Sequence, residues 1–138
     1  MNEVTRVSAP WKLRGRGFLF LYHFSRMEIE QGFFLTEKFI PRFSGGLGAL
    51  MMVRYTDSNV GPYDELLFIP GQFQYGGDKR CTISKIYVST RESVVNGRAN
   101  WAIPKEQADF SWEEFPGGHT AVSVSTGGRA FFSIDIQH

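Results

Sequence analysis

Short apolar segments separated by turn residues recur along this 138-residue chain, and they restrict the possible folds more than any other feature. Runs of this length, rich in β-branched and aromatic residues, are typical of strands. The Thr-Gly-Gly turn at 126–128 predicts a hairpin. The chain is predicted to be a mainly antiparallel β barrel or cone. Strands are predicted at 18–24, 49–55, 64–70, 73–75, 81–88, 108–114, 119–125 and 129–136, with a further extended piece at 33–40, where residues 28–31 could instead begin a helical turn.

One short helix is predicted within this strand pattern. Ser89 and Glu92 have the spacing of a capping box, with Ser89 as the N-cap. Asn96-Gly97 is a natural helix stop. The segment centred on Lys105 would follow this helix directly.

Composition predicts a single folded domain, 11–138, after a loosely held N-terminus at 1–10. Hydrophobic residues make up 42% of the chain and aromatic residues 15%, which excludes a disordered protein. Fifteen basic residues against fourteen acidic ones give a net charge of +1. There is therefore no charge bias towards nucleic acid or membranes, and neither is expected as a partner.

The cysteine and histidine content and the hydropathy limit which cellular compartment and which metal sites can be expected. One cysteine, Cys81, excludes an intrachain disulfide framework and fits a reducing compartment. The three histidines are scattered without metal-ligand spacing, so no metal site is expected. The apolar run at 18–22 is too short to span a bilayer. We therefore expect a cytoplasmic protein.

Lys105 is preceded by four uncharged residues, Trp101, Ala102, Ile103 and Pro104. Proline stiffens the chain that enters the lysine. A lysine among apolar neighbours either extends its ammonium group to water or is shielded from water, where its amine can react. Desolvation disfavours an ammonium ion, and only a free amine attacks a carbonyl carbon to form an imine. On the residues alone, a solvated loop lysine is the favoured interpretation.

Glu65 lies in a predicted strand whose alternation places Tyr63, Glu65, Leu67 and Ile69 on one face. A carboxyl group among apolar side chains has a raised pKa unless it is paired. Glu65 is therefore a candidate general acid or substrate-orienting group. A glutamate that faces solvent on an edge strand is the alternative.

Two motifs resemble those of the acetoacetate decarboxylase family. Gly97-Arg98, followed after five residues by Pro104-Lys105, is similar to the family's imine-forming lysine segment. Upstream, residues 61–65 match the family's Gly-x-Tyr-x-Glu element, in the same order and at a similar spacing. The resemblance runs from about Trp11 to Ile136, and family members continue beyond this chain's last residue.

This resemblance implies a β barrel that decarboxylates a small β-keto acid, or acts on a related carbonyl compound. Lys105 would form the imine and Glu65 would move protons or orient the substrate, with Arg98, Tyr63 and Trp101 as substrate-binding residues. Arg98 could equally tie down the end of the helix. The lysine itself supplies the electron sink, so no metal or organic cofactor is implied. A homo-oligomer is expected, because a chain shorter than its family would leave apolar surface to cover.

Three departures from the family pattern keep other functions open. Glu106 replaces a second lysine, and a carboxylate close to Lys105 would favour the lysine's charged form. Ala99 replaces a glutamate, and His23 stands where a carboxylate-binding arginine is expected. The alternatives to a decarboxylase-like lyase are an aldolase- or dehydratase-type branch and a ligand-binding relative without catalysis.

Overall fold

The computed structural model of the protein describes residues 3–31, 35 and 37–138, and strands dominate it. The predicted mainly β class is confirmed. In chain order the elements are β1 Arg14–Tyr22, α1 Arg26–Glu30, a 3₁₀ helix Glu37–Arg42, β2 Phe43–Gly45, β3 Gly48–Asp57, β4 Tyr63–Ile69, β5 Gln72–Tyr75, β6 Asp78–Cys81, β7 Lys85–Val88, α2 Arg91–Trp101, β8 Lys105–Gln107, β9 Asp109–Phe115, β10 His119–Thr126 and β11 Arg129–Gln137.

The strands form three open sheets rather than one closed ring. The central sheet has the order β1-β3-β4-β7-β8, and the others have the orders β11-β10-β9 and β2-β5-β6. Among the described residues, all strand pairings are antiparallel except β7 with β8. Parallel neighbours need a crossover connection, and α2 provides it. This β7-α2-β8 unit brings the lysine segment into the central sheet.

One face of the central sheet packs against the β9–β11 sheet and forms the main core. The predicted hairpin of β10 and β11 supplies part of that layer. A second, smaller cluster lies around Phe43 and Phe73. The main core comprises Leu50, Met52, Leu66, Phe68, Ala108, Val122, Val124 and Ile136.

The structure changes the prediction for two segments. The extended piece at 33–40 is wrong where it can be checked, because a 3₁₀ helix begins at Glu37; residues 33, 34 and 36 lie outside the described part of the chain. The alternative of a helical turn is confirmed by α1, which Ser25 and Glu28 cap reciprocally. The strand predicted at 81–88 is interrupted, since β6 ends at Cys81 and β7 starts at Lys85.

Helix α2 is confirmed, but both of its ends differ from the prediction. Thr90 is the N-cap and accepts a hydrogen bond from the Ser93 amide, while the Ser89 hydroxyl instead accepts one from the Asp64 amide. The helix continues through Asn96-Gly97 and ends where Ala102 adopts a left-handed conformation, with φ of 55°. Gly97 does not stop the helix, because it is buried in the helix interior.

The N-terminal segment contacts α2. The Asn96 side chain accepts a hydrogen bond from the Val7 amide at 2.8 Å and donates one to the Thr5 carbonyl at 3.0 Å. Asn100 donates to the Val7 carbonyl at 2.8 Å. These hydrogen bonds join residues 5–7 to α2. They also carry Trp11 towards the lysine segment.

Candidate functional site

The side chains of one face of the central sheet converge on Lys105. Strand register aligns Tyr55 with Tyr63, and Ile86 with Lys105. Side chains alternate along a strand, so Glu65 and Lys105 share this face, which we call the site face. Its cavity measures about 310 Å³ and is lined by Trp11, Leu13, Tyr55, Tyr63, Glu65, Leu67, Ile83, Ile86, Trp101, Ile103 and Lys105.

Lys105 and Glu65 form a buried ion pair at the base of the cavity. The lysine Nζ lies 3.3 Å from Glu65 Oε2, and the two side chains are only 5% and 7% exposed. Burial raises the pKa of Glu65, and the charge and hydrogen bond of Lys105 offset part of that rise. The pair therefore holds an acid and an amine in direct contact, away from bulk water.

Ser93 and two aromatic rings complete the surroundings of the lysine. Nζ donates a hydrogen bond to the Ser93 hydroxyl at 3.1 Å. It also lies 5.2 Å from the centre of the Tyr63 ring and 5.6 Å from that of the Trp11 ring. Aromatic faces attract a cation, so these contacts fix the position of the ammonium group.

The two tyrosines of the site face keep their protons at neutral pH. Burial and the nearby Glu65 charge raise the pKa of Tyr55 to about 12, and the same two causes raise the pKa of Tyr63. Tyr55 also hydrogen-bonds Glu65, which lowers the pKa of that carboxyl. Both hydroxyls can therefore donate to a carboxylate or to a carbonyl oxygen.

Gly97 and Arg98 position Lys105 from the helix side. A Cβ atom on Gly97 would lie 2.7 Å from Lys105 Cδ and 2.9 Å from Cε, so the lysine stem needs the missing side chain. Arg98 Nε donates to the Lys105 carbonyl at 2.8 Å. This contact supports the alternative role for Arg98, as an anchor of the backbone. Substrate binding by Arg98 stays a prediction.

The remaining sequence-predicted residues divide between the cavity and the opposite face. Trp101 lies at the mouth, 43% exposed, and meets the Trp11 ring edge-on at 4.8 Å between centroids. Glu106 is exposed and aligns with Tyr87, whose pKa is raised by burial and by the Glu106 charge. Alternation along β8 thus turns Glu106 away from the cavity. His23 is exposed after β1.

Sequence analysis did not identify Trp11, Tyr55 or Ser93 as site residues. Tyr55 becomes recognisable only once β3 is aligned with β4. Ser93 required the correct helix start, since it lies in the first turn of α2. Trp11 lies outside regular secondary structure, so no periodicity indicates its direction.

Neither a metal-binding cluster nor a membrane-spanning helix occurs among the described residues. Within 3–31, 35 and 37–138, no group of three or more histidine, cysteine, aspartate or glutamate residues is placed to hold a metal ion. Among the helices of the same residues, none has the length and apolar character needed to cross a bilayer.

The chain is similar to plant proteins of known sequence. Protein NEOXANTHIN-DEFICIENT 1 of Oryza sativa subsp. japonica is 29% identical over 106 residues, covering 76% of this chain and 35% of that protein. The protein of the same name from Arabidopsis thaliana is 27% identical over 139 residues, covering 96% and 47%. The chain therefore spans less than half the length of these curated relatives.

Solved structures share the fold. Acetoacetate decarboxylase from Legionella pneumophila superposes with a TM-score of 0.72 at 14% identity, over 95% of this chain and 51% of that one. The enduracididine biosynthesis enzyme MppR complexed with pyruvate gives a TM-score of 0.69 at 14% identity, over 95% and 58%. At this identity the similarity shows the fold alone.

The family assignment comes from the sequence itself. The family model of acetoacetate decarboxylase (ADC) matches residues 19–138, which include both motifs and the Lys105–Glu65 pair. The chain belongs to the acetoacetate decarboxylase family.

Proposed function

We propose that the protein is a lysine-dependent carbon–carbon lyase in which Lys105 forms an imine with a small carbonyl compound. The observation that carries this proposal is the buried Lys105–Glu65 pair at the base of an apolar cavity. A buried ion pair adds little stability compared with apolar residues of similar size. Its position in an open cavity therefore favours a chemical role.

Proton transfer within the pair would generate the nucleophile. The Lys105 ammonium gives a proton to the Glu65 carboxylate, 3.3 Å away, and burial assists because it favours the neutral carboxyl. The free amine then attacks the carbonyl carbon and forms a carbinolamine. Glu65 returns its proton to the carbinolamine oxygen, which leaves as water. A protonated imine and a Glu65 carboxylate remain, with all atoms and charges balanced.

The protonated imine is the electron sink for bond cleavage. With a β-keto acid, the bond to the carboxylate breaks and its electron pair moves into an enamine while carbon dioxide departs. Protonation of the enamine carbon and hydrolysis of the imine would release the ketone and restore the pair. The Tyr63 hydroxyl would orient the ligand oxygen, and Trp11 and Trp101 would cover its carbon skeleton.

An aldol-type condensation and dehydration is the second candidate. It uses the same imine and enamine, but the enamine carbon attacks an aldehyde instead of taking a proton. MppR has this fold, and one of its structures is described as complexed with the condensation product of pyruvate and imidazole 4-carboxaldehyde.

Reductive trapping tests the proposal. The protein is incubated with acetylacetone or acetoacetate, reduced with borohydride and digested, and the modified lysine is identified by mass spectrometry. We expect the adduct on Lys105, and its loss in Lys105→Arg. Lys85→Arg is the matched control, because Lys85 is a half-buried strand lysine on the opposite face. Modification spread over exposed lysines, without preference for Lys105, would contradict the proposal and would favour a ligand-binding relative without catalysis.

A further inference from the structure

We propose that the site takes a neutral aldehyde or ketone with an apolar substituent, and selects against keto acids. This inference rests on imine formation at Lys105 and specifies the substrate class of that site. It departs from the β-keto acid that the family resemblance implies. A ligand carboxylate in this cavity would find no free cation to pair with.

Lys105 is the one cation among the described residues that line the cavity, and Glu65 already neutralises it. Two arginines of the neighbouring strands are engaged elsewhere. Arg54 holds Asp64 through hydrogen bonds of 2.8 and 3.0 Å, and Arg16 pairs with Glu114. By register, Arg16, Arg54 and Lys85 all lie on the face opposite Lys105.

Arg98, the remaining candidate for a carboxylate contact, does not line the cavity. Its Nε donates to the Lys105 carbonyl, on the backbone side of the lysine. On β1 the site face carries Gly15, Gly17 and Leu19, which offer no charge where a carboxylate-binding arginine is expected on an early strand.

Proton transfer from Lys105 to Glu65 makes the cavity still less favourable for a keto acid. When Lys105 becomes a free amine and Glu65 takes its proton, the base of the cavity contains no charge at all. Before transfer, the pair is already neutral overall, and the Glu65 carboxylate repels a second carboxylate. In either state a bound keto acid would leave an uncompensated negative charge in a largely apolar cavity, which is unfavourable.

The walls instead match an apolar chain or ring. Leu67 and Ile86 form the floor from neighbouring strands, and Ile103 lies on the approach to Lys105. The edge-to-face tryptophans close one side of the mouth, and the Tyr55 and Tyr63 rings, 4.8 Å apart, lie on the sheet beside Glu65. A neutral carbonyl compound would accept a hydrogen bond from the Tyr63 hydroxyl and bury its substituent against these walls.

The experiment compares levulinate with methyl levulinate, which carry the same ketone two methylenes away from an acid or an ester. Each is incubated with the full chain, reduced with borohydride and quantified on Lys105, relative to its reaction with N-acetyl-lysine in solution. We expect the ester to label Lys105 at least about tenfold faster. Equal or faster labelling by levulinate would overturn this inference and leave imine formation intact. If neither compound labels Lys105, both proposals are overturned.

A charge introduced at the mouth tests the physical cause. Leu13 lines the cavity yet is 46% exposed, so Leu13→Arg should fold normally. We expect the ester-to-acid labelling ratio of this variant to fall several-fold, because the new cation favours levulinate over the ester. Leu21→Arg is the control, because Leu21 is 59% exposed on the same sheet face but does not line the cavity. An unchanged ester-to-acid ratio in Leu13→Arg would overturn the argument that a missing cation sets the preference.

Discussion

At the scale of single residues, the proposed imine formation depends on which group accepts the Lys105 proton. Glu65→Gln keeps the shape of the side chain and removes the proton acceptor 3.3 Å from Nζ. We expect imine formation to slow by about 100-fold. The free energy of unfolding should also fall by about 3 kcal/mol, because the lysine charge stays buried without its partner.

The double variant Lys105→Met with Glu65→Gln separates these two effects. It removes both charges, so most of the lost stability should return while imine formation stays absent. Urea unfolding measures the first quantity and reductive trapping the second. A Glu65→Gln protein that forms the imine at the wild-type rate would exclude Glu65 as the proton acceptor.

Gly97 is the second decisive residue, and its effect is steric. Ala is a better helix former than Gly by about 1 kcal/mol, so Gly97→Ala should strengthen an isolated helix. In this protein the new methyl group would lie 2.7 Å from Lys105 Cδ and displace the lysine stem. We expect several-fold slower labelling of Lys105 with helical content retained by circular dichroism. Ala99→Ser, at the exposed position two residues on, should leave labelling unchanged.

At alkaline pH, the titration of Tyr55 reports the electrostatic environment of the site. A tyrosine in the unfolded chain titrates near pH 10, whereas the pKa of Tyr55 in the folded protein is raised to about 12. Between these values the folded state holds the proton that the unfolded state has lost, so stability should fall as pH rises from about 10 to 12. Unfolding at several pH values, with Tyr55→Phe as the comparison, should show a loss of about 1 kcal/mol that the variant lacks, after allowance for solvent screening. An identical pH dependence in the variant would contradict this assignment.

At the scale of elements, alternation along strands was predictable from sequence and their pairing was not. The face shared by Tyr63, Glu65 and Leu67 follows from a period of two, and the pairings with β3 and β7 agree with it. The parallel pairing of β8 with β7 depends on where α2 ends, and that prediction failed because Gly97 was taken as a helix stop. The helix start was also misplaced, at Ser89 instead of Thr90, and that error left Ser93 unnoticed.

The position of Glu106 shows what register adds to the sequence. Proximity in the chain suggests a strong effect on Lys105, but β8 is a strand, and its consecutive side chains point to opposite faces. Glu106 is exposed, so solvent screens its charge. We expect Glu106→Gln to leave the pH midpoint of imine formation at Lys105 unchanged. A midpoint that moves to lower pH would show that the charge reaches Lys105 despite this geometry.

At the scale of the whole molecule, exposed apolar side chains predict self-association. Leu19 and Leu21 are 61% and 59% exposed on the site face of β1, and Leu47 is 56% exposed. Pairing such surface between two copies would remove apolar area from water. We expect sedimentation to show a dimer or larger assembly at high micromolar concentration, and Leu19→Lys with Leu21→Lys to shift it towards monomer. A clean wild-type monomer would contradict this prediction.

The central claim is that a carbon–nitrogen double bond forms at Lys105 before any reductant is added. Nuclear magnetic resonance tests it directly, with ¹⁵N at every lysine Nζ and ¹³C at the carbonyl of a neutral ketone. We expect a one-bond correlation between the ligand carbon and one lysine nitrogen, which disappears in Lys105→Arg and persists in Lys85→Arg. A ligand carbon that retains its free-ketone shift at saturating concentration, or a correlation that survives Lys105→Arg, would contradict it.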